Sequence, residues 1–258
     1  MIEDIKRLAT EAGREILAIY KSADWNVTAK ADESPLTKAD VRANELIVAG
    51  LEAISTDVII SEEGDTAFDE KKTAPTRFWL VDPLDGTRDF VARLDTFVVC
   101  IALIENNDPV LGVIYSPVTD ELWWAQKGQG AFGPSGRLMN ERQGTTDLIA
   151  VGSRTTPSDR MQLLFDKFNV TRVERFGSAL KFCKIAEGLY DVYPRFGPMM
   201  EWDTAAGQII AEESGCKVID VNTGERLRYG KPGLANRGFL CSRQNLNLEA
   251  KLSEIIRH

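Results

Sequence analysis

Histidine is nearly absent: the chain has 258 residues and one histidine, His258, its last residue. A single terminal imidazole excludes a Ser-His-Asp triad, a phosphohistidine intermediate and a zinc site built on two histidines. Cysteine is scarce and scattered. Cys100, Cys183, Cys216 and Cys241 make no C-x-x-C pair and no Cys/His cluster, so buried free thiols are expected rather than structural zinc or a redox dithiol. No apolar stretch approaches the roughly 20 residues that span a bilayer. Residues 1–20 carry acids where a secretory leader has none, and a cytoplasmic setting is expected. Basic charge is also short: 31 Lys and Arg against 39 Asp and Glu, a net charge of −8. That balance argues against a nucleic-acid partner or an anionic membrane surface and leaves room for a small basic pocket.

What is present alternates between two periodicities. Ile2, Ile5, Leu8, Ala12, Ile16 and Ile19 recur at three- and four-residue steps and predict an amphipathic helix to about residue 20. A second helix is expected over 37–54, with Thr37 as N-cap and Asp40 at the third position, where a carboxylate ordinarily serves the helix dipole. Short apolar runs at 58–60 and 78–81 read as buried strands, and 97–104, 109–118 and 121–126 as a meander with turns at 106–108 and 117–120. The segment 65–76 is hydrophilic and reads as a loop. Composition shifts near Gly144, which divides the chain into an α+β half (1–144) and an α/β half (145–258). In the second half, strands at 148–152, 189–193, 217–220 and 238–242 alternate with helices at 157–168, 178–187, 202–214 and 246–256.

Acids recur at the ends of these apolar runs. Residues 77–90 read R-F-W-L-V-D-P-L-D-G-T-R-D-F: the strand ends at Asp82, Pro83 cannot continue a ladder, and Gly86 permits a tight turn. Asp82 and Asp85 then face one point, and the backbone amides of Gly86 and Thr87 open a helix where they can hold a phosphate oxygen. A turn residue and a helix cap would account for the same two aspartates, and capping equally for Asp203 in E-W-D-T-A-A-G. Glu62 follows the strand 58–60 in the same way. The small residues Ala205, Ala206 and Gly207 allow the helix behind Asp203 to lie close against a neighbour. If Glu62, Asp82, Asp85 and Asp203 converge, each pair of like charges about 4 Å apart repels by roughly 4 kcal/mol at an effective dielectric of 20, so bound cations are required. Oxygen-only donors select hard ions: Mg²⁺ first, Mn²⁺ possible, Ca²⁺ as a non-productive competitor. Such a site suits hydrolysis of a phosphate monoester.

V-D-P-L-D-G-T (Val81 to Thr87), S-E-E-G (Ser61 to Gly64) and W-D-T-A-A-G (Trp202 to Gly207) resemble the three signatures of the inositol monophosphatase and fructose-1,6-bisphosphatase superfamily, in order and spacing, over nearly the whole chain. S-P-L-T-K-A-D (34–40), G-S-A-L-K-F-C (177–183), A-E-G (186–188) and Y-P-R-F-G-P (193–198) resemble its bacterial 3'(2'),5'-bisphosphate nucleotidase branch. The resemblance implies a layered α-β-α-β-α sandwich of the sugar-phosphatase type, two or three Mg²⁺ per site, inhibition by Li⁺, and hydrolysis of adenosine 3',5'-bisphosphate to AMP; inositol or fructose phosphates are the alternative substrates. By position it implies Glu62, Asp82, Asp85, Asp203 and the Leu84 carbonyl as metal ligands. Gly86, Thr87 and Lys30 would bind phosphate, and Thr87 with Glu62 or Asp40 would orient the attacking water. Gly177, Ser178, Lys181, Arg195 and Asp203 would contact the substrate. The chain departs from the branch at Thr156, Ala179 and Met199-Met200-Glu201, all on the nucleotide side. A monomer or a homodimer is compatible with the resemblance.

Overall fold

A computed structural model of the chain describes residues 1–22, 27–29, 35–64, 75–144, 146–154, 159–246 and 248. Lys30, Thr156, His258, most of the 65–76 loop and, apart from Leu246 and Leu248, the expected 246–256 helix lie outside the described residues. Helix α1 (Ile2–Ser22) buries Ile5, Leu8, Ala12 and Ile16, the face its periodicity marks. A two-stranded ribbon, β1 (Thr28–Ala29) with β2 (Pro35–Leu36), precedes α2 (Lys38–Glu52). Thr37 caps α2 and Asp40 closes a capping box with it, which satisfies two of the amides that a helix start leaves without partners.

A seven-stranded sheet follows, in the spatial order β3 (Val58–Ser61), β4 (Arg77–Asp85), β5 (Val98–Glu105), β6 (Asp108–Ser116), β7 (Glu121–Gln126), β8 (Gly130–Gly133) and β9 (Gly136–Leu138). Strands β3 and β4 are parallel and the remaining neighbours antiparallel. The short helix α3 (Thr87–Val91) joins β4 to β5. Asn106 and Asn107 both take positive φ in the β5–β6 turn, as a tight two-residue hairpin demands. The second sheet contains β10 (Leu148–Gly152), β11 (Val170–Arg175), β12 (Val192–Arg195), β14 (Cys216–Asp220) and β16 (Phe239–Arg243), ordered β11-β10-β12-β16-β14. A further ribbon pairs β13 (Met199–Met200) with β15 (Ala235–Asn236). Helices α4 (Asp159–Lys167), α5 (Leu180–Ala186) and α6 (Ala205–Glu213) belong to this second half of the chain.

These elements stack in five layers. Trp79 and Val81 of β4 pack with α1 and α2 residues such as Ile16 and Ile47. Phe78 and Leu80, on the opposite face, join Phe182 of α5, Ile209 of α6 and Tyr193 and Phe239 of the second sheet. Leu164 and Phe165 of α4 cover that sheet's outer face with Val192 and Leu240. The order is α-β-α-β-α, and β4 is apolar at successive positions because helices cover both its faces.

Several boundaries differ from the sequence expectation. Strands β8, β9 and β11 were not anticipated: β8 and β9 are three or four residues long and glycine-rich, and β11 is a largely solvated edge strand. Helix α5 begins at Leu180 because Ser178 holds a positive φ of 57°. Helix α6 begins at Ala205, and Trp202, Asp203 and Thr204 form a turn before it.

Helix α6 owes its central place to small residues. A Cβ on Gly207 would fall 2.3 Å from the Phe182 ring, and Phe182 is itself fully buried. Gly207→Ala therefore destabilises by about 2 kcal/mol although alanine gains about 1 kcal/mol of helix propensity. Thermal unfolding should show a fall of roughly 4–8 °C; an unchanged or higher Tm would contradict this packing.

Candidate metal and phosphate site

Parallel pairing brings the first two acids together. Ser61 of β3 lies opposite Val81 of β4, and the Glu62 amide donates to the Val81 carbonyl at 3.0 Å, so Glu62 leaves its strand beside Asp82. The next acid depends on an irregularity in β4. The strand does not end at Asp82 as the sequence implies: it continues to Asp85, with Asp82 opposite Cys100 and Asp85 opposite Val98. Three steps along β4 match two along β5, so one residue is extra and the strand bulges. Pro83 fits there because a bulge leaves it no ladder bond to make. Directly opposed residues share a face, and Val98 and Cys100 both belong to the core between the sheets. Asp82 and Asp85 therefore both face α5 and α6, whereas a regular strand would send them to opposite sides. Leu84 turns the other way, into the α1–α2 core.

Asp203 arrives from the second half of the chain, in the turn before α6. Its Oδ2 accepts from the Met200 amide at 3.2 Å. Behind this turn the buried Glu201 accepts from the Gly230 amide at 2.6 Å and the Lys231 amide at 3.2 Å, and pairs with Lys231 Nζ at 2.7 Å. Glu62, Asp82 and Asp203 each offer a carboxylate oxygen, and the three oxygens lie within 4.8 Å of one another. One oxygen of Asp82 accepts from the Leu84 amide at 3.0 Å, and one of Asp85 from the Ala179 amide. Backbone donors thus orient each aspartate. Converging oxygen donors with no sulfur or imidazole fit a hard divalent cation.

The electrostatics are those of an acid cluster under strain. Burial, and then the Glu62, Asp85 and Asp203 carboxylates, push the Asp82 carboxyl well above the usual range. Burial, with Asp85 and Glu62, does the same to Asp203. Burial raises Asp85 from 3.8 to about 6, against the pull of the Lys181 ammonium and the Ala179 amide.

Asp40 performs two tasks at once. Its Oδ2 accepts from the Thr37 amide at 2.8 Å and hydroxyl at 2.5 Å, as a cap does. Its Oδ1 lies 3.1 Å from the Thr87 hydroxyl, which is also 3.1 Å from the Leu84 carbonyl oxygen. Gly86, before Thr87, has φ 99°, open to glycine and costly for other residues.

The acids border a cleft of about 400 Å³ whose lining includes Glu62, Asp85, Gly86, Thr87 and Asp203, and also Gly177 and Arg195. Ser178 and Lys181 are buried behind it. Lys181 donates to the Ser178 and Phe176 carbonyls at 2.6 and 3.1 Å, and burial lowers its pKa to about 8 against the pull of Asp85. It braces the 176–178 segment rather than lining the cleft. The sequence reading missed Asp89 and Arg154, which also line the cleft. Asp89 stands two positions after Thr87 in the same motif, and that repetition of acids was the available signal.

The sequence model of the inositol monophosphatase family matches residues 1–257. The chain belongs to the inositol monophosphatase family. It is 37% identical over 243 residues to the 3'(2'),5'-bisphosphate nucleotidase CysQ of Salmonella typhimurium, covering 93% of this chain and 98% of that protein. It is 38% identical over 254 residues to CysQ of Buchnera aphidicola, covering 94% and 93%. The crystal structure of CysQ from Bacteroides thetaiotaomicron, a bacterial member of the family, matches with a TM-score of 0.78 at 37% identity, over 92% of this chain and 94% of that one. The family is metal-dependent, which accords with the acidic cluster.

The raised carboxyls fix the sign of the pH dependence. The folded metal-free protein holds a proton on Asp85 up to about pH 6, whereas the unfolded chain releases it near 3.8. The native state binds more protons in that window, so metal-free stability falls as pH rises through it. Asp82 and Asp203, raised in the same direction, add to the decline. Without metal, Tm should drop by on the order of 5 °C between pH 5 and pH 8, and millimolar Mg²⁺ should recover it at pH 8 far more than at pH 5. A metal-free Tm that rises over this range would contradict the arrangement.

Proposed function

We propose that the chain is a Mg²⁺-dependent phosphate monoester hydrolase acting on a small phosphorylated nucleotide, converting adenosine 3',5'-bisphosphate to AMP and phosphate. The observation that carries the reading is the convergence of Glu62, Asp82 and Asp203 oxygens within 4.8 Å, beside a cleft that also holds Asp85, Gly86 and Thr87. Bound there by these carboxylates and the Leu84 carbonyl, two or three Mg²⁺ would lower the pKa of water and neutralise the leaving oxygen.

The protein's own groups then place the reactants. The Gly86 and Thr87 amides point a phosphoryl oxygen at the start of α3. The Thr87 hydroxyl, positioned by Asp40 at 3.1 Å, orients the attacking water, with Glu62 accepting from it on the other side. Because Asp40 is itself pinned by Thr37, this relay is held by the cap of α2. Arg195 and Gly177 form the substrate wall. The nucleotide reading is supported by the 36–38% identity to proteins named 3'(2'),5'-bisphosphate nucleotidase. Four buried free cysteines fit a cytoplasmic setting, and no described helix is long and apolar enough to cross a membrane.

Asp85→Asn should lower kcat by more than the ~10- to 100-fold typical of losing an outer partner of a metal ligand. It should also raise the metal-free Tm at pH 8, because one repelling charge is gone. Phosphate release from adenosine 3',5'-bisphosphate, inositol 1-phosphate and fructose 1,6-bisphosphate, with Mg²⁺ alone, with Li⁺ or Ca²⁺ added, and with chelator, tests the reading. Full activity in chelator, or a higher kcat/KM on inositol phosphate, would overturn it.

A further inference from the structure

The lining of the cleft carries both signs of charge: Glu62, Asp85 and Asp203 with Asp89, and Arg88, Arg154 and Arg195. Carboxylates with their cations account for the scissile phosphate. They leave the arginines without a role in that step.

Arg154 is held in place before any ligand arrives. Its Nε lies 3.4 Å from Asp89 and its Nη2 donates to Thr96 Oγ1 at 3.2 Å. Thr96 in turn donates its hydroxyl proton to Asp89. Asp89 is 7% exposed, and the chain closes over it: a Cβ on Gly177 would fall 2.1 Å from Asp89 Oδ2. This buried anchor fixes one edge of the guanidinium. Neither partner engages Nη1, and the side chain keeps 41% of its exposure. Arg195 stands next to it, donating from Nη1 to Ser153 Oγ at 3.0 Å. Lys181, buried behind the cleft, is turned into the protein by the Ser178 and Phe176 carbonyls. A fixed guanidinium on a cleft, with an edge that takes no partner among the described residues, matches a phosphate group, since planar N–H donors bind its oxygens in pairs and little freedom remains to be lost.

We propose that Arg154 is a specificity-determining residue that binds the second phosphate of a nucleoside bisphosphate, the one that is not hydrolysed. The proposal rests on the nucleotidase reading above, and it assigns the preference for two phosphates over one to a residue outside the metal cluster.

The test compares kcat/KM on adenosine 3',5'-bisphosphate and on adenosine 3'-monophosphate, with Mg²⁺, for the wild type, Arg154→Gln and Arg154→Lys. Wild type should favour the bisphosphate by about tenfold or more. Arg154→Gln should lose roughly 10- to 100-fold on the bisphosphate, mostly through KM, and less than about threefold on the monophosphate; Arg154→Lys should recover part of the loss. Equal losses on both substrates would assign Arg154 to support of the fold through Asp89 and overturn the proposal. So would a variant that keeps the wild-type preference. A wild type that hydrolyses both adenosine substrates with no preference would instead overturn the bisphosphate reading on which the proposal stands.

Discussion

Repulsion among carboxylates is the constraint around which this molecule is built. Glu62, Asp82 and Asp203 present oxygens within 4.8 Å, and Asp85 faces the same core. Such pairs oppose folding by several kcal/mol in a partly desolvated crevice. In the metal-free protein, burial and this repulsion shift the carboxyls of Asp82, Asp85 and Asp203 toward the protonated form. A divalent cation answers by replacing those protons. Site affinity and fold stability are therefore one equilibrium, coupled through pH.

Holding the acids together needs rigid supports, and each comes from a different layer. Parallel pairing of β3 with β4 sets Glu62 beside Asp82. The bulge in β4 turns Asp85 to the same face. Asp203 depends on α6, which lies against α5 because Gly207 leaves room for the Phe182 ring and against β6 of the large sheet because Gly112 leaves room for Ala206 and Ile209, and on Glu201, which ties the preceding turn to Gly230 and Lys231. The aspartates are further fixed by backbone amides, so their orientation is built in before any ion binds.

Two polar residues show why side-chain identity does not reveal its task. Asp40 reads as a helix cap, and it is one, yet its second oxygen reaches Thr87 across 47 positions of sequence. Lys181 reads as a substrate cation, and its ammonium donates to two carbonyls inside the protein. Burial separates these outcomes. A lysine at 2% exposure satisfies its donors locally, because an unpaired buried ammonium would cost too much.

The order of elements was legible in the chain because it is local: the α1 stripe, the Thr37 cap, the Asn106-Asn107 turn and the buried strand at 78–81 all follow from neighbours a few residues apart. The D-P-L-D-G-T and W-D-T-A-A-G motifs named the acids for the same reason. Other features were not legible. The bulge that aligns Asp82 with Asp85 is a property of pairing with β5, so the strand read alone ends three residues early. The strands β8, β9 and β11 take their conformation from partners rather than from pattern. The Asp89–Thr96–Arg154 group joins residues up to 65 positions apart, and only the folded arrangement brings them to one rim. Sequence determined which groups carry the chemistry; the tertiary structure decided which of them share a space, because distance between side chains is set by packing and register.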